Sequence, residues 1–316
     1  MKKIFSNMLI IFLIFINQEI FSQLDYGFDF TKAGSSGLQF LKIGVGAREV
    51  AMGEAVNSIV NDANSVFWNV GGLAYVENKQ ASFSYTSWLV ESQVNSAVIA
   101  FPVGSFVFGI SAISFSINEF EETTALQPDG TGRMVDAGDL LIGAAVSRRF
   151  TDKLSIGLQV KYVREELDDY SIDNVLFDVG ALYFTGFRQL RLAFSLQHFG
   201  PDMKLENLSF RTPLLFRVSA GDELFSFKDI NLLVAADLIH PTDNKEWVNI
   251  GGELVLLNNF SIRSGYRFNT DINNFSFGFG IISPKIFDMN LKLDYAYSPE
   301  ETVFDAIHRL TVSLDF

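Results

Sequence analysis

Residues 153–164 read KLSIGLQVKYVR. One parity carries Lys153, Ser155, Gly157, Gln159 and Lys161; the other carries Leu154, Ile156, Leu158, Val160 and Tyr162. Successive side chains of a strand point to opposite faces, so this is a ribbon with one wet side and one oily side. Its length is close to the ~9–11 residues with which a tilted strand crosses a bilayer. A soluble sheet would turn the oily side onto a core. Whether lipid or a core covers it is decided by how far the pattern extends.

The pattern extends to the C-terminus. Alternation bounded by Gly, Asn, Asp and Pro breaks predicts strands over 79–88, 93–102, 104–117, 138–150, 153–165, 173–185, 188–199, 212–221, 230–239, 246–257, 259–268, 274–282, 287–297 and 305–316. Leu192 and Phe194 oppose Arg191 and Ser195; Phe277 and Phe279 oppose Gly278 and Gly280. Long and short connections largely alternate, as they do when every second one lies outside the cell and the rest are periplasmic turns. The connection 222–229 is long for the short set. The final strand ends on Phe316, with Leu310, Val312 and Leu314 on its parity. A terminal aromatic of this kind is the usual tag read by the barrel assembly machinery. The fold expected is all-β: a transmembrane antiparallel barrel of about fourteen strands. The competing reading is a periplasmic β-sandwich.

Composition narrows the function. Of 316 residues, 48% are hydrophobic, with 32 Phe, 24 Gly and 7 Pro. Cysteine is absent, which excludes disulfides, thiolate catalysis and Cys-based zinc sites. His198, His240 and His308 lie far apart, so no His metal site is expected. A net charge of −13 disfavours nucleic acid as a partner. There is no GxSxG elbow, Walker loop or GxGxxG after a strand. A non-enzymatic protein without cofactor is expected.

Residues 1–22 open with Lys2 and Lys3, continue through an apolar stretch, and end on Ser22. This is the layout of a secretory signal peptide, the apolar run being shorter than the ~20 residues of a spanning helix. Export followed by barrel closure places the chain in the outer membrane of a Gram-negative bacterium, with outer-membrane lipid around it, because an open sheet edge cannot be satisfied in lipid. The chain then divides into 23–77, a leader and plug, and 78–316, the barrel. A barrel of this size has an appreciable lumen unless something fills it.

Between Gly34 and Ala74 small residues dominate and the alternation is weak. Ala47 to Ile59 fits a short helix or an extended plug segment. Residues 62–68 fit a short helix capped by Asn61 or Asp62, stopped by Gly71 and Gly72. Met52, Phe67, Trp68 and Leu73 are costly to leave in water, which favours a plug over a flexible leader.

The stretches Phe40-Leu41-Lys42-Ile43-Gly44-Val45-Gly46-Ala47-Arg48, Ala51-Met52-Gly53-Glu54-Ala55 and Asn61-Asp62-Ala63-Asn64-Ser65-Val66-Phe67-Trp68-Asn69 resemble the N-terminal signature of the PorV/PorQ family. These are FadL-like outer-membrane proteins of Bacteroidetes and related bacteria. Residues 147–155 and 177–183 are similar to further family segments. The resemblance marks Arg48, Met52, Gly53, Asp62, Trp68, Asn69, Gly71 and Gly72 as plug or hatch residues. One departure stands out: the family's Asn-Pro-Ala is Asn69-Val70-Gly71 here, without the Pro that would stiffen a hatch turn. The resemblance implies a role in type IX secretion and surface attachment, binding the C-terminal domains of secreted cargo alongside other secretion components. The alternative it leaves is a FadL-type transporter of a hydrophobic small molecule.

Inward parity makes Gln159, Lys161, Arg191, Gln197, Arg217, Glu253, Arg263, Arg267 and Asp294 candidate lumen-lining residues. Any barrel lumen is expected to be polar, with its charges paired to one another or holding the plug. Glu119, Glu121, Glu122, Asp129 and Asp136 on one outer loop, with Glu165, Glu166, Asp168, Asp169 and Asp173 on the next, predict an acidic outer rim. Such oxygens suit Ca²⁺, but the EF-hand spacing is lacking, so solvated loops and no metal are expected.

Overall fold

The computed structural model describes residues 34–205, 208–270, 274–284, 289–299 and 305–316. The signal peptide expected over 1–22 and the start of the leader lie outside the described residues. Fourteen antiparallel strands close into one barrel. They are β1 (Gln80–Ser87), β2 (Gln93–Val103), β3 (Phe106–Ser116), β4 (Ala137–Arg149), β5 (Leu154–Leu167), β6 (Tyr170–Phe184), β7 (Arg191–Phe199), β8 (Leu215–Phe227), β9 (Ile230–Pro241), β10 (Trp247–Leu256), β11 (Phe260–Phe268), β12 (Phe275–Ile282), β13 (Asn290–Ser298) and β14 (Ile307–Asp315). Each strand pairs with its neighbour in the chain, and β1 pairs with β14 from Gln80↔Asp315 to Ser87↔His308. Phe316 extends the seam by exchanging backbone hydrogen bonds with Lys79 at 2.9 and 3.1 Å.

The alternation resolves as lipid outside and lumen inside. On β5, Leu158 is 53% and Val160 47% exposed, while Ser155, Gln159, Lys161 and Val163 between and beside them are buried. Phe277 and Phe279 likewise face out, and Ser276 is buried. The oily belt is therefore the barrel's outer wall, as a bilayer requires, and the described strands form a closed barrel and not a sandwich. Two connections differ from the sequence reading. β8 runs on to Phe227 through a bulge between Glu223 and Phe225, so that connection shrinks to 228–229. β5 and β6 extend above the bilayer to a turn at 168–169, so the second acidic loop is mostly paired strand.

The start of β1, the end of β14 and the short turns share one end of the barrel, the periplasmic one; among the described residues the outer end carries two small hairpins. Phe120–Glu121 pairs with Met134–Val135, and Met203–Leu205 with Leu208–Phe210. Arg133 in the first hairpin bonds Asp168 at 2.6 Å and Asp169 at 3.2 Å, so part of the acidic rim is ion-paired. Among the described residues no cluster of His, Asp and Glu is arranged to hold a metal.

Candidate functional site

The lumen is filled by residues 34–76. The segment starts at the outer mouth, where Gly37 N donates to Arg211 O at 3.1 Å and Leu38 N to Glu165 at 3.1 Å. Asp243 in the outer loop 242–246 gathers the side chains of Ser36, Gln39 (3.0 Å) and Lys42 (2.9 Å). Burial raises the Asp243 carboxyl, but these three donors outweigh it and hold it below the usual range. We call residues 34–45 the strap.

Below the strap the chain enters helix α1 (Ala47–Ala51) and then a run of turns to Val60, all against β8–β14. Ala47 N donates to Thr311 Oγ1 at 2.8 Å, Asn57 N to Asp237 at 3.1 Å, and Ser58 and Ser219 share a hydrogen bond of 2.9 Å. Arg48 meets Glu253 through two bonds of 2.8 and 3.1 Å. Glu253 also accepts from Arg263 at 2.6 Å, and Arg263 reaches Asp294 at 2.7 Å, with Lys292 3.3 Å away. Arg267 donates to Glu54 at 3.0 Å. Buried charges persist only when paired and hydrogen-bonded in this way. Gly53 lies against the wall with φ +62°, and a Cβ there would stand 2.8 Å from Tyr266 N, so only glycine fits.

The second limb is helix α2 (Ser65–Trp68) and a 3₁₀ stretch, Val70–Tyr75. Asp62 Oδ1 accepts from Asn64 N at 3.0 Å and shapes the entry. Gly71 and Gly72 do not stop a helix; the 3₁₀ stretch runs through them. They are small because of close approach: a Cβ on Gly71 would stand 2.9 Å from Gly180 O. The Gly71 carbonyl accepts from Ser155 at 2.8 Å and Ser147 at 3.3 Å. In place of a proline, Asn69 fixes the turn, accepting from Gly71 N at 3.0 Å and donating to Asn57 O at 2.9 Å and Ala181 O at 3.1 Å.

Gln159 bonds Ser111 at 3.2 Å, Gln197 donates to Phe67 O at 2.9 Å, and the Arg217 guanidinium lies 5.2 Å over the Trp68 ring. Lys161 bonds Asp178 at 2.7 Å. Arg191 sits half-buried at the periplasmic rim over the Phe184 ring, apart from the network. Parity did not reveal His198. A bulge opposite Asp178 turns both Gln197 and His198 inward, with His198 at φ 63°, its N–H on Asp178 at 2.8 Å and its Nδ1 2.7 Å from Lys161 Nζ. Glu54, Asp237 and Arg309 were also missed, since nothing local marks a strand or plug charge as having a distant partner.

The lumen is not uniformly polar. Charges concentrate on β8–β14, whereas the outer half of β2–β6 turns Val94, Ile113, Leu141, Val163 and Leu176 inward. Against this oily wall lie the strap's own Leu38, Phe40 and Leu41. The inward parity of β5, polar through Lys161, becomes apolar at Val163, and that was the legible sign. Beneath the strap is a cavity of about 30 Å³ between Val45, Phe67, Trp68 and Lys161, room for little more than water. A larger one, about 190 Å³, opens at the periplasmic end beside Asp62, Asn64, Gln80 and Asp315.

No family model and no curated protein matches the chain. Solved structures do. The monoaromatic hydrocarbon channel CymD superposes with a TM-score of 0.61 at 11% identity, covering 87% of this chain and 98% of that one. The Ralstonia pickettii toluene transporter TbuX gives 0.60 at 11%, covering 86% and 97%. A Pseudomonas aeruginosa FadL homologue gives 0.56 at 10%, covering 85% and 97%. The fold is FadL-like. These matches overturn the PorV/PorQ assignment, and the type IX secretion role with its cargo falls with it. Those plug motifs are short and rich in small residues. Here the close approach of plug to wall at Gly53 and Gly71 and the Asn69 turn account for those positions.

Proposed function

We propose that the protein is an outer-membrane channel for a hydrophobic small molecule. The observation carrying this reading is the oily outer half of the lumen, where the chain's own Leu38, Phe40 and Leu41 cover Val94, Ile113, Leu141, Val163 and Leu176. A channel for hydrophilic solutes keeps its interior polar and wet; an apolar solute needs an apolar wall to leave water for. The strap's place in that compartment is held at the mouth by Asp243, Glu165 and the Arg211 backbone, so releasing it exposes the wall. The matched hydrocarbon channels agree with this reading. Asp62, Trp68, Asn69, Gly71 and Gly72 then belong to the plug that keeps the channel closed, and Arg48, Glu253, Arg263, Arg267 and Asp294 to its anchorage.

The test is entry of labelled toluene and of a labelled disaccharide into Gram-negative cells with an intact lipopolysaccharide layer, with and without the protein. Faster toluene entry with unchanged disaccharide entry is expected, and Val163→Asp should abolish the gain. Faster disaccharide entry with unchanged toluene entry would overturn the reading.

A further inference from the structure

The oily wall under the strap is topped by two carboxylates. Beyond Val163 on β5 the inward parity carries Glu165, and before Leu141 on β4 it carries Asp139; the two are register partners on adjacent strands. Both are half-buried. On the outward parity Tyr162 gives way at this level to Arg164 and Glu166, which pair at 2.7 Å, so the two acids stand above the hydrocarbon. Like charges directly opposite one another repel, and among the described residues no Lys, Arg or His forms an ion pair with either. Of their four oxygens, Glu165 Oε2 alone receives a hydrogen bond, from Leu38 N at 3.1 Å. Burial, and after it Glu165, push the Asp139 carboxyl up to about 7, as befits an acid without a cation beside it.

The strap shows what chemistry the compartment accepts. Its Leu38, Phe40 and Leu41 lie on the oily wall, and what it offers to the carboxylates is N–H and O–H donors and one cation. Leu38 N–H goes to Glu165; the Gln39 amide, the Ser36 hydroxyl and the Lys42 ammonium go to Asp243. Asp243 is 4% exposed, and its Oδ1 is buried with no partner, so a buried acceptor at the mouth has capacity for a further donor. No lysine of the compartment is left for an anionic head: Lys42 is on Asp243 and Lys161 on Asp178.

We propose that the compartment binds a hydrophobic ammonium, its apolar body against Val94, Ile113, Leu141 and Val163 and its protonated amine between Asp139 and Glu165. The proposal rests on the channel reading and names its substrate class. An apolar site takes its specificity from a few placed polar groups. An ammonium here makes charge-assisted hydrogen bonds to both acids and replaces the Leu38 N–H when the strap yields, whereas a carboxylate head adds a third negative charge. Two carboxylates are few for Ca²⁺, which takes 6–8 oxygens, and among the described residues no third acid joins them to hold a metal.

The full barrel in phosphatidylcholine nanodiscs, its fold confirmed by heat-modifiable gel mobility, is titrated at neutral pH with phenylbutylammonium, phenylbutanol and phenylbutanoate, one body with three heads, against protein-free nanodiscs. The ammonium should bind about tenfold tighter than the alcohol, and the carboxylate weakest. Asp139→Asn/Glu165→Gln should bring ammonium and alcohol to within about threefold while alcohol binding persists. Glu119→Gln/Asp129→Asn removes the same charge from the exposed outer hairpin and should leave the preference intact. Equal binding of ammonium and alcohol by the unaltered protein, a preference for the carboxylate, no binding of any of the three, or equal loss in both double variants would overturn the proposal. If the first double variant does not assemble, Glu165→Gln alone takes its place and should lower ammonium binding without lowering that of the alcohol. Ammonium preference with no toluene entry into cells would keep the site and reject the channel; toluene entry without ammonium preference would keep the channel and reject the site.

Discussion

Replacing Asn69 by Ala isolates the contribution of one side chain to plug closure. Asn69 is fully buried and makes three hydrogen bonds, to Gly71 N, Asn57 O and Ala181 O. Alanine leaves one N–H and two carbonyls short of a partner in a site with little room for water. Each buried orphan costs about 1–3 kcal/mol, less for a carbonyl that keeps a second partner, so the docked turn should lose about 2–5 kcal/mol. With each 1.4 kcal/mol worth tenfold, local opening of residues 70–75 should become roughly 30-fold to a few thousand-fold more frequent. Hydrogen exchange in lipid nanodiscs reads this directly. Amides of 70–75 should exchange faster by that factor, while those of β4–β6 stay protected by the barrel ladder. A change below threefold in 70–75, with the barrel intact, would refute the assignment of the turn to Asn69.

Gly53→Ala adds a Cβ near Tyr266 N at a positive φ, and should make the plug protease-sensitive while the barrel keeps its heat-modifiable mobility. The strap should respond to acid. The Asp243 carboxyl is held low in the folded protein, so its contribution is full above its ordinary pKa and is lost as pH falls through the folded value. Cleavage within 34–45 should rise below roughly pH 4, and Asp243→Asn should show the loosened strap already at neutral pH. On the lipid face, Leu158→Arg near the middle of β5 should destabilise the folded barrel by about 2–4 kcal/mol in urea titration from liposomes; a change under 0.5 kcal/mol would argue against lipid covering that face. Deleting Phe316, which pairs with Lys79 at the closing seam, should lower the yield of assembled barrel, read as the heat-modifiable fraction.

The strands were legible because their signal is local. Alternation along 153–164 needs no knowledge of any other segment, and the same period marked fourteen strands to within a few residues, apart from the 222–227 extension and the 168–169 turn. The sign of the oily face followed too, since closure requires it outside. What tertiary structure alone decided is which groups meet across the lumen. Nothing near Arg48 announces Glu253, nothing near Ser36 announces Asp243, and His198 turns inward only because a bulge opposite Asp178 breaks the parity on which the reading rests. Val163 shows both sides: its inward place follows from spacing, but that it lies against Leu38 and Phe40 follows from a chain that enters the barrel far from it in sequence. Periodicity is a property of neighbours along the chain, whereas a lumen is assembled from residues separated by hundreds of positions, so its chemistry exists only once the barrel has closed.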